Sequence, residues 1–550
     1  MSDFRNKVVY QIYPKSFLDT NGDGLGELRG VIQKLDYLKD LGVDYLWLTP
    51  FYPSPQNDNG YDVADYRAVD PRYGTMEDLE ELICQADRRG IGLMLDMVFN
   101  HTSTDHEWFQ RAMAGDPVYK DYYIFRKGKP DGAPPTNWES KFGGNAWEYV
   151  PKFDEYYLHL FDVSQADLNW ENPKVRQEVQ DILKFWMDKG VKGFRFDVVN
   201  LISKGSYEDD DQGDGRRFYT DGPKIHQYLE EMCSNTFGKD PGFITVGEMS
   251  STSMEHCFQY AGADSGELSM VFSFHHLKVD FMGNEKWVLV PADFKKLKDI
   301  LFSWQQGMSD HNAWNAVFWC NHDQPRVVSR FGDEGEYWKQ SAKMLAGVIH
   351  GLRGTPYVYQ GEELGMTNAG FTSLSQYRDV ESINHFQILR DKGMSEEAAY
   401  CILKTHSRDN ARTPMQWDTS ENAGFSSGTP WISVNPNYTR INAQSQVSDP
   451  DSIFSYYKAL IRLRKEYPVI AQGDFAPVDS AHPQVLAYRR SLEGTRLYCI
   501  NNFYRKPCRW HCPESLEGCR VLLSNYPAPK PGQEMELRPY ESMILIRQAK

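Results

Sequence analysis

Three acidic residues close three short apolar runs: Asp197 in GFRFDVVN, Glu248 in ITVGEM and Asp323 in AVFWCNHD. Alternation with a period of two puts Arg195 and Asp197 on one face of an extended segment and Phe194, Phe196 and Val198 on the other. If the runs carrying Asp197 and Glu248 are neighbouring strands, ~4.8 Å apart, carboxyls at matching heights are separated by about 5 Å. That spacing suits covalent, retaining attack on a glycosidic carbon, because the inverting route needs ~6.5 to 9.5 Å to admit a water. Asp197, beside the permanent cation of Arg195, is expected to stay ionised and act as nucleophile. Glu248 has no cation in its own run and is expected to donate the proton, its pKa raised by burial and by the anionic Asp197. Asp323 can hydrogen-bond sugar hydroxyls and stabilise an oxocarbenium-like transition state. A buried Arg195–Asp197 pair that only packs is the competing reading, but such a pair contributes little to stability.

A second constellation is DTNGDGLGE at 19–27, with oxygen-bearing side chains at alternate positions. The first nine positions of an EF-hand loop fit, but the twelfth, which must be a bidentate Glu, is Gly30. Cys508, His511, Cys512 and Cys519 also crowd together, in a C-x3-C-x6-C spacing that is not a usual zinc pattern.

The elements that must position these groups follow from periodicity. VVYQIYP, YLWLTP, GLMLDMVFNH, GFRFDVVN, ITVGEM, LSMVFSFHH, AVFWCNHD and TPYVYQGEE are short apolar runs, and segments such as MEDLEELICQADRRG and NPKVRQEVQDILKFWMDKG carry helical periodicity between them. The alternation predicts an α/β fold, a closed TIM (β/α)8 barrel whose chemistry sits at the C-terminal strand ends. A Gly-, Pro- and Trp-rich stretch after the third run is too long for a simple loop and is expected to be an inserted domain, and after about residue 475 short alternating segments predict an antiparallel β domain. The expected organisation is 1–103 as the first part of the barrel, 104–171 as the inserted domain, 172–475 as the second part with a further insertion at about 367–450, and 476–550 as the C-terminal domain.

The 550 residues carry a formal charge of -16, which gives no electrostatic support for a nucleic-acid or anionic-membrane partner. No run approaches the ~20 apolar residues that span a bilayer, and MSDFRNKVVYQIYP is not a secretory signal. Nine cysteines without such a signal point to reduced thiols and a cytoplasmic location.

DMVFNH, GFRFDVVN, VGEM and NHD, standing in that order, resemble the alpha-amylase family of glycoside hydrolases over almost the whole chain. The resemblance implies the same roles for Asp197, Glu248 and Asp323, with His101, Arg195 and His322 holding the sugar on the nonreducing side of the scissile bond. VVYQIYPKSFLDTNGDGLGELRG, NDNGYDVADY, QADLNWENP, GEELGM and SRDNARTPMQW resemble the family's oligo-1,6-glucosidase group. That likeness implies that Asp58 and Arg412 clamp the distal hydroxyls of a terminal glucose, that Tyr61 forms a stacking floor, and that Phe142, Phe161 and Gln165 line the wall. It also implies that 19–27 is a structural loop for calcium or magnesium, with Asp19, Asn21, Asp23, the Leu25 carbonyl and Glu27 as ligands. Val198, directly after the nucleophile, accompanies α-1,6 cleavage in this group.

Three departures resemble instead the branch of the family that cleaves a phosphorylated disaccharide, α,α-trehalose 6-phosphate, to glucose and glucose 6-phosphate. Phe196 stands where Met is usual, FSFHHLKVD brings His275, His276 and Lys278 in place of an acidic run, and GDGRRFYTDGPKIH contributes Arg216 and Arg217. Cations suit a phosphate on the leaving sugar, the competing reading being residues of a solvated loop. An oligo-1,6-glucosidase remains the other reading within the class. A non-catalytic scaffold on the same barrel is the reading outside it, and the presence of all three acids speaks against it.

Overall fold

Eight parallel strands close into a barrel, and each coincides with one of the eight apolar runs. They are β1 (Val9–Ile12), β2 (Tyr45–Leu48), β3 (Gly92–Met97), β4 (Gly193–Phe196), β5 (Ile244–Glu248), β6 (Met270–Phe272), β7 (Asn315–Val317) and β8 (Thr355–Tyr359). The structure, a computed structural model, describes residues 4–211, 213–283 and 285–548. Strands adjacent in the chain are adjacent in the barrel, and β1 closes it against β8. Nearly every strand residue is buried, which is why these runs read as continuously apolar rather than alternating.

Helices cover the outside, and their starts are written locally. Thr75 and Asp78 form a reciprocal capping box at the head of Met76–Arg88. Asn172 caps Pro173–Asp188, with proline at the first position, where its missing N–H costs nothing. Inside the barrel, Trp47, Phe272 and Tyr357 pack with centroids 4.6 to 6.1 Å apart. The Arg195 guanidinium lies 5.1 Å above the Trp47 ring, so the charged layer at the mouth rests on an aromatic floor that excludes water.

Register decides what meets at that layer. Along β4 and β5, Arg195 pairs with Val246 and Phe196 with Gly247, so one further step sets Asp197 level with Glu248. On the other side of β4, Arg195 pairs with Asp96 of β3.

After β3 the chain builds a small unit with a three-stranded antiparallel sheet of Phe125–Arg126, Glu155–Leu158 and Trp147–Val150. A short ladder of His101–Ser103 with Gln165–Asp167 ties that unit back to the barrel rim. After β8, the helices Val380–Asp391 and Glu396–His406 bury Phe386, Leu389, Ile402 and Leu403 in an apolar cluster separate from the main core. From Asp474 onward the chain forms a five-stranded antiparallel sheet and a two-stranded one. That domain is fastened to the helix Trp338–Gly351 by the Tyr488 hydroxyl, which donates to the Val348 carbonyl at 2.6 Å. Its last two residues, 549 and 550, lie outside the described ones. All nine cysteines are free thiols, and no described helix is long and apolar enough to cross a membrane.

Candidate active site

The three acids meet at one end of the barrel and line a cavity of about 270 Å³. Arg195, 1 % exposed, is its electrostatic centre. One guanidinium nitrogen donates to Asp96 Oδ1 at 2.6 Å and to Asp197 Oδ1 at 2.7 Å, and the other donates to Glu248. The expectation that Glu248 lacks a cationic neighbour holds only along its own strand, because the long Arg195 side chain reaches across from β4. The order of the two acids survives this. Burial pushes Glu248 up to about 8; Arg195 pulls the other way, and the charges of Asp197 and Asp323 add to the rise. Burial raises Asp197 less, to about 6, since Arg195 and a hydrogen bond with Glu248 favour its ionised form. At neutral pH one carboxyl of the pair is therefore charged and the other protonated.

Val198 turns the chain immediately beyond Asp197, with φ 33 and ψ 40, a left-handed conformation that β-branched residues avoid. Strain of this kind costs on the order of 1–3 kcal/mol and persists where surrounding structure over-determines it. Here the turn brings the Val198 N–H to 3.4 Å from Glu248 Oε2, joining the two acid-bearing loops.

Asp323 accepts from Arg412 Nη2 at 2.8 Å and Arg408 Nη1 at 3.3 Å, and His322 Nε2 stands 3.3 Å away. Burial works against its ionisation, but Arg408 and Arg412, joined by His322 at the acid pH where that ring is charged, outweigh it and hold the carboxyl far below the usual range. His322 is neutral, pushed down to about 3 chiefly by burial, and its Nδ1 receives the Gln11 amide at 2.8 Å. It stacks on Tyr61 at 5.1 Å and 5°, which makes Tyr61 a flat floor facing the cavity.

The distal end of the cavity differs from expectation. Asp58 lines it, but the cation on Asp58 is Arg408, at 3.2 Å, and not Arg412. Arg412 is 1 % exposed and lies behind Asp323, donating also to the His322 carbonyl at 3.0 Å. The two arginines stand one helical turn apart in SRDNARTPMQW, so the motif alone does not say which one reaches the cavity. Gln165 is likewise behind the wall: its amide donates to Asp58 Oδ2 at 3.1 Å and to the Tyr61 carbonyl at 3.2 Å. His101 lines the cavity as a neutral ring, pushed down to about 4 by burial, with Nε2 3.1 Å from the Tyr61 carbonyl and Nδ1 3.2 Å from the Asn100 amide. Phe142 and Phe161, edge to face at 5.6 Å, form the remaining apolar wall.

A second cavity, of about 440 Å³, adjoins the first, and Lys278 and Ser251 line both. Arg216, Arg217, His275 and Lys296 complete its basic lining. Arg217 is already paired with Asp210 at 2.9 Å and Asp211 at 2.8 Å, and Arg216 with Asp214 at 2.9 Å. Lys278 makes no ion pair among the described residues, and its pKa is lowered by burial and then by Arg216. His276 does not face this cavity: it is buried against Phe318 and Trp319, with Nε2 2.9 Å from the Phe318 carbonyl. Asp96, Arg408 and Lys286 were not singled out in the sequence; Lys286 reaches the first cavity while paired with Glu381 at 2.8 Å.

The 19–27 loop has an all-oxygen donor set, the chemistry that hard divalent cations take. Asn21 and Asp23 each accept the N–H two residues on at 2.8 Å, and Asp19 accepts from Asn21, Gly22 and Gly24 at 2.7 to 2.9 Å. Burial raises the Asp19 carboxyl, but these bonds and one from Ser426 more than offset it, so the group is held ionised. Glu27 accepts from Thr20 at 3.0 Å. The donors fit by type and charge, although no three acidic side chains among the described residues are drawn together as a preformed cluster.

Comparison with known proteins agrees with this architecture. Residues 11–473 match the family model for the alpha amylase catalytic domain, and residues 475–544 match that for the maltogenic amylase C-terminal domain. The chain is 53 % identical to the trehalose-6-phosphate hydrolase of Bacillus subtilis (strain 168) over 547 residues, 98 % of this chain and 97 % of the relative. It is 46 % identical to the oligo-1,6-glucosidase of Bacillus cereus over 552 residues, 98 % of each. The crystal structure of Bacillus licheniformis trehalose-6-phosphate hydrolase superposes with a TM-score of 0.95 at 53 % identity, covering 99 % of both chains.

Proposed function

The chain belongs to the alpha-amylase family of glycoside hydrolases, and from that premise we propose that it hydrolyses α,α-trehalose 6-phosphate to glucose and glucose 6-phosphate with retention at the glucose carbon. The observation that carries the reading is the basic cavity opening from the acid-lined one, with Lys278, which makes no ion pair among the described residues, standing in both. Unmodified glucose fills the closed end, where Asp58 and Arg408 grip distal hydroxyls and Tyr61 lies under the ring. The phosphorylated sugar occupies the basic side, where Lys278 and Arg216 offer charge-assisted hydrogen bonds.

In the first step ionised Asp197 attacks the glucose anomeric carbon while protonated Glu248 transfers its proton to the bridging oxygen. The carbon–oxygen bond breaks, glucose 6-phosphate departs, and a glucosyl ester on Asp197 remains. Water then attacks the same carbon, gives its proton to Glu248 and frees the carboxylate. Asp323, held ionised by its arginines, binds the ring hydroxyls and offsets positive charge building on the sugar. Loop 19–27 is read as a structural calcium site that takes no part in these steps, supported by its donor set, and the free thiols and acidic balance support a cytoplasmic setting.

Comparing kcat/KM for trehalose 6-phosphate, trehalose and isomaltose tests the assignment. The phosphorylated sugar is expected to lead, and K278M and R216M are each expected to lose at least tenfold on it, because a hydrogen bond to a charged group contributes about 1.5–3 kcal/mol. A preference for isomaltose overturns the substrate and leaves the mechanism standing.

A further inference from the structure

Lys141 lies in the stretch inserted after β3 and, like Lys278, lines the cavity that holds the three acids. Its turn is pinned: the Lys141 N–H donates to the Leu160 carbonyl at 2.9 Å, and the Ser140 hydroxyl donates to the Phe161 carbonyl at 2.7 Å. From there the ammonium lines the acid-bearing cavity and donates to Ser250 Oγ at 3.0 Å. Ser250 is itself fixed across the site. Its N–H donates to Asn200 Oδ1 at 2.8 Å, and its carbonyl accepts from Asn200 Nδ2 at 3.0 Å. Since Ser250 follows Glu248 by two residues and Asn200 follows Asp197 by three, Lys141 is fastened to the seam between the two acid-bearing loops.

The charges around this ammonium are out of balance. Arg216 and Lys278 act on it as like charges; of the acids that act the other way, Asp214 is already paired with Arg216 and Glu248 is protonated at neutral pH, and the Phe161 and Tyr219 rings lie 6.0 and 5.6 Å away. Arg216 is paired with Asp214, Arg217 with Asp210 and Asp211, and Lys286 with Glu381, whereas Lys296 of the second cavity has no ion pair among the described residues. Lys141, like Lys278, makes no ion pair among the described residues. A desolvated ammonium held against two like charges is unfavourable by itself, and burial followed by Arg216 and Lys278 pushes its pKa down to about 7. An anion shared by the three removes both penalties.

We infer that Lys141 is a specificity-determining residue that binds the phosphate of the leaving sugar together with Lys278 and Arg216; the inference rests on the phosphorylated-disaccharide reading above. The phosphate is then held from two walls, one belonging to the barrel and one to the inserted domain. A sugar without the phosphate brings no anion to Lys141, Lys278 and Arg216, so it forgoes the charge-assisted bonds that the phosphorylated sugar makes with all three.

The test is steady-state kinetics of the full-length protein and its K141M and K141R variants on trehalose 6-phosphate and on neutral p-nitrophenyl α-glucoside. For K141M the ratio of kcat/KM between the two substrates is expected to fall at least tenfold, mainly through KM for the phosphorylated sugar, and K141R is expected to restore most of it. Glucose 6-phosphate, as a competitive inhibitor of aryl glucoside cleavage, is expected to bind K141M at least tenfold more weakly. Loss of folding alone lowers both substrates together and leaves the ratio unchanged. A ratio that falls by less than tenfold, in a wild-type enzyme that still prefers trehalose 6-phosphate, overturns the role of Lys141 alone. A wild type that prefers isomaltose removes the substrate reading and this inference with it.

Discussion

The pH dependence of hydrolysis follows from the two carboxyls that share Arg195. The competent form needs Asp197 ionised and Glu248 protonated. With Asp197 raised to about 6 and Glu248 to about 8, that form makes up about 80 % of the enzyme at pH 7. Below pH 6 Asp197 gains a proton and the nucleophile is lost; above pH 8 Glu248 loses its proton and the acid is lost. The expected profile of kcat/KM is a bell centred near pH 7, falling to about a tenth of its plateau at pH 5 and at pH 9. Carboxyls at their ordinary values of about 3.9 and 4.3 would leave only about 0.2 % of the enzyme competent at pH 7, so the buried, aromatic-floored site raises the working population by roughly two to three orders of magnitude. The assay uses p-nitrophenyl α-glucoside, so that titration of a substrate phosphate near pH 6 does not enter. In E248Q the alkaline limb should vanish, and glucosyl fluoride, whose leaving group needs no proton, should still glycosylate Asp197. An optimum near pH 4, or an alkaline limb that survives E248Q, would refute the division of roles drawn from the geometry.

Two further predictions concern parts of the site away from the proton. R408M removes the cation facing Asp58 and should raise KM roughly 10- to 100-fold for aryl glucoside and phosphorylated disaccharide alike, about 1.5–3 kcal/mol for a charge-assisted contact; an unchanged KM would return the clamp to Arg412. If loop 19–27 holds calcium, chelation should lower Tm, with about 2.7 kcal/mol of stabilisation recovered at a free calcium concentration about 100 times Kd. Calorimetry with EGTA and with D19A checks this, and a Tm indifferent to both sinks the calcium site.

What could be read in the sequence was whatever a strand end dictates. The eight barrel strands are buried on both faces, so each appears as an uninterrupted apolar run, and Asp197, Glu248 and Asp323 stand out because they close such runs. Contacts set by side-chain reach were not legible. Arg195 touches Glu248 because a guanidinium is long enough to cross from β4, and it touches Asp96 because β3 lies on its other side in register. The choice of Arg408 over Arg412 depends on how the short helix Asp409–Arg412 sits against the helices of the second insertion, where Asp379 accepts from Arg408. Lys141 lies in a stretch with no periodicity, and only the folded turn at 140–144 shows where its side chain goes.

The sharing of Arg195 also explains how one glutamate can serve as acid and then as base. In the free site Arg195 offsets one of the two negative charges on Asp96 and Asp197, and the remaining negative charge is among the causes that keep Glu248 protonated. Formation of the glucosyl ester removes the charge on Asp197, and with it one of the interactions that raise Glu248, while Arg195 continues to favour the ionised form. The Glu248 pKa must therefore fall in the intermediate, at the moment when Glu248 has just given up its proton and has to take another from water. Burial sets the starting value and Asp197 supplies the swing. A nucleophile placed beyond electrostatic reach of Glu248 would leave its pKa set by burial and Arg195 alone and unchanged through the cycle, with no swing to make it an acid in one step and a base in the next.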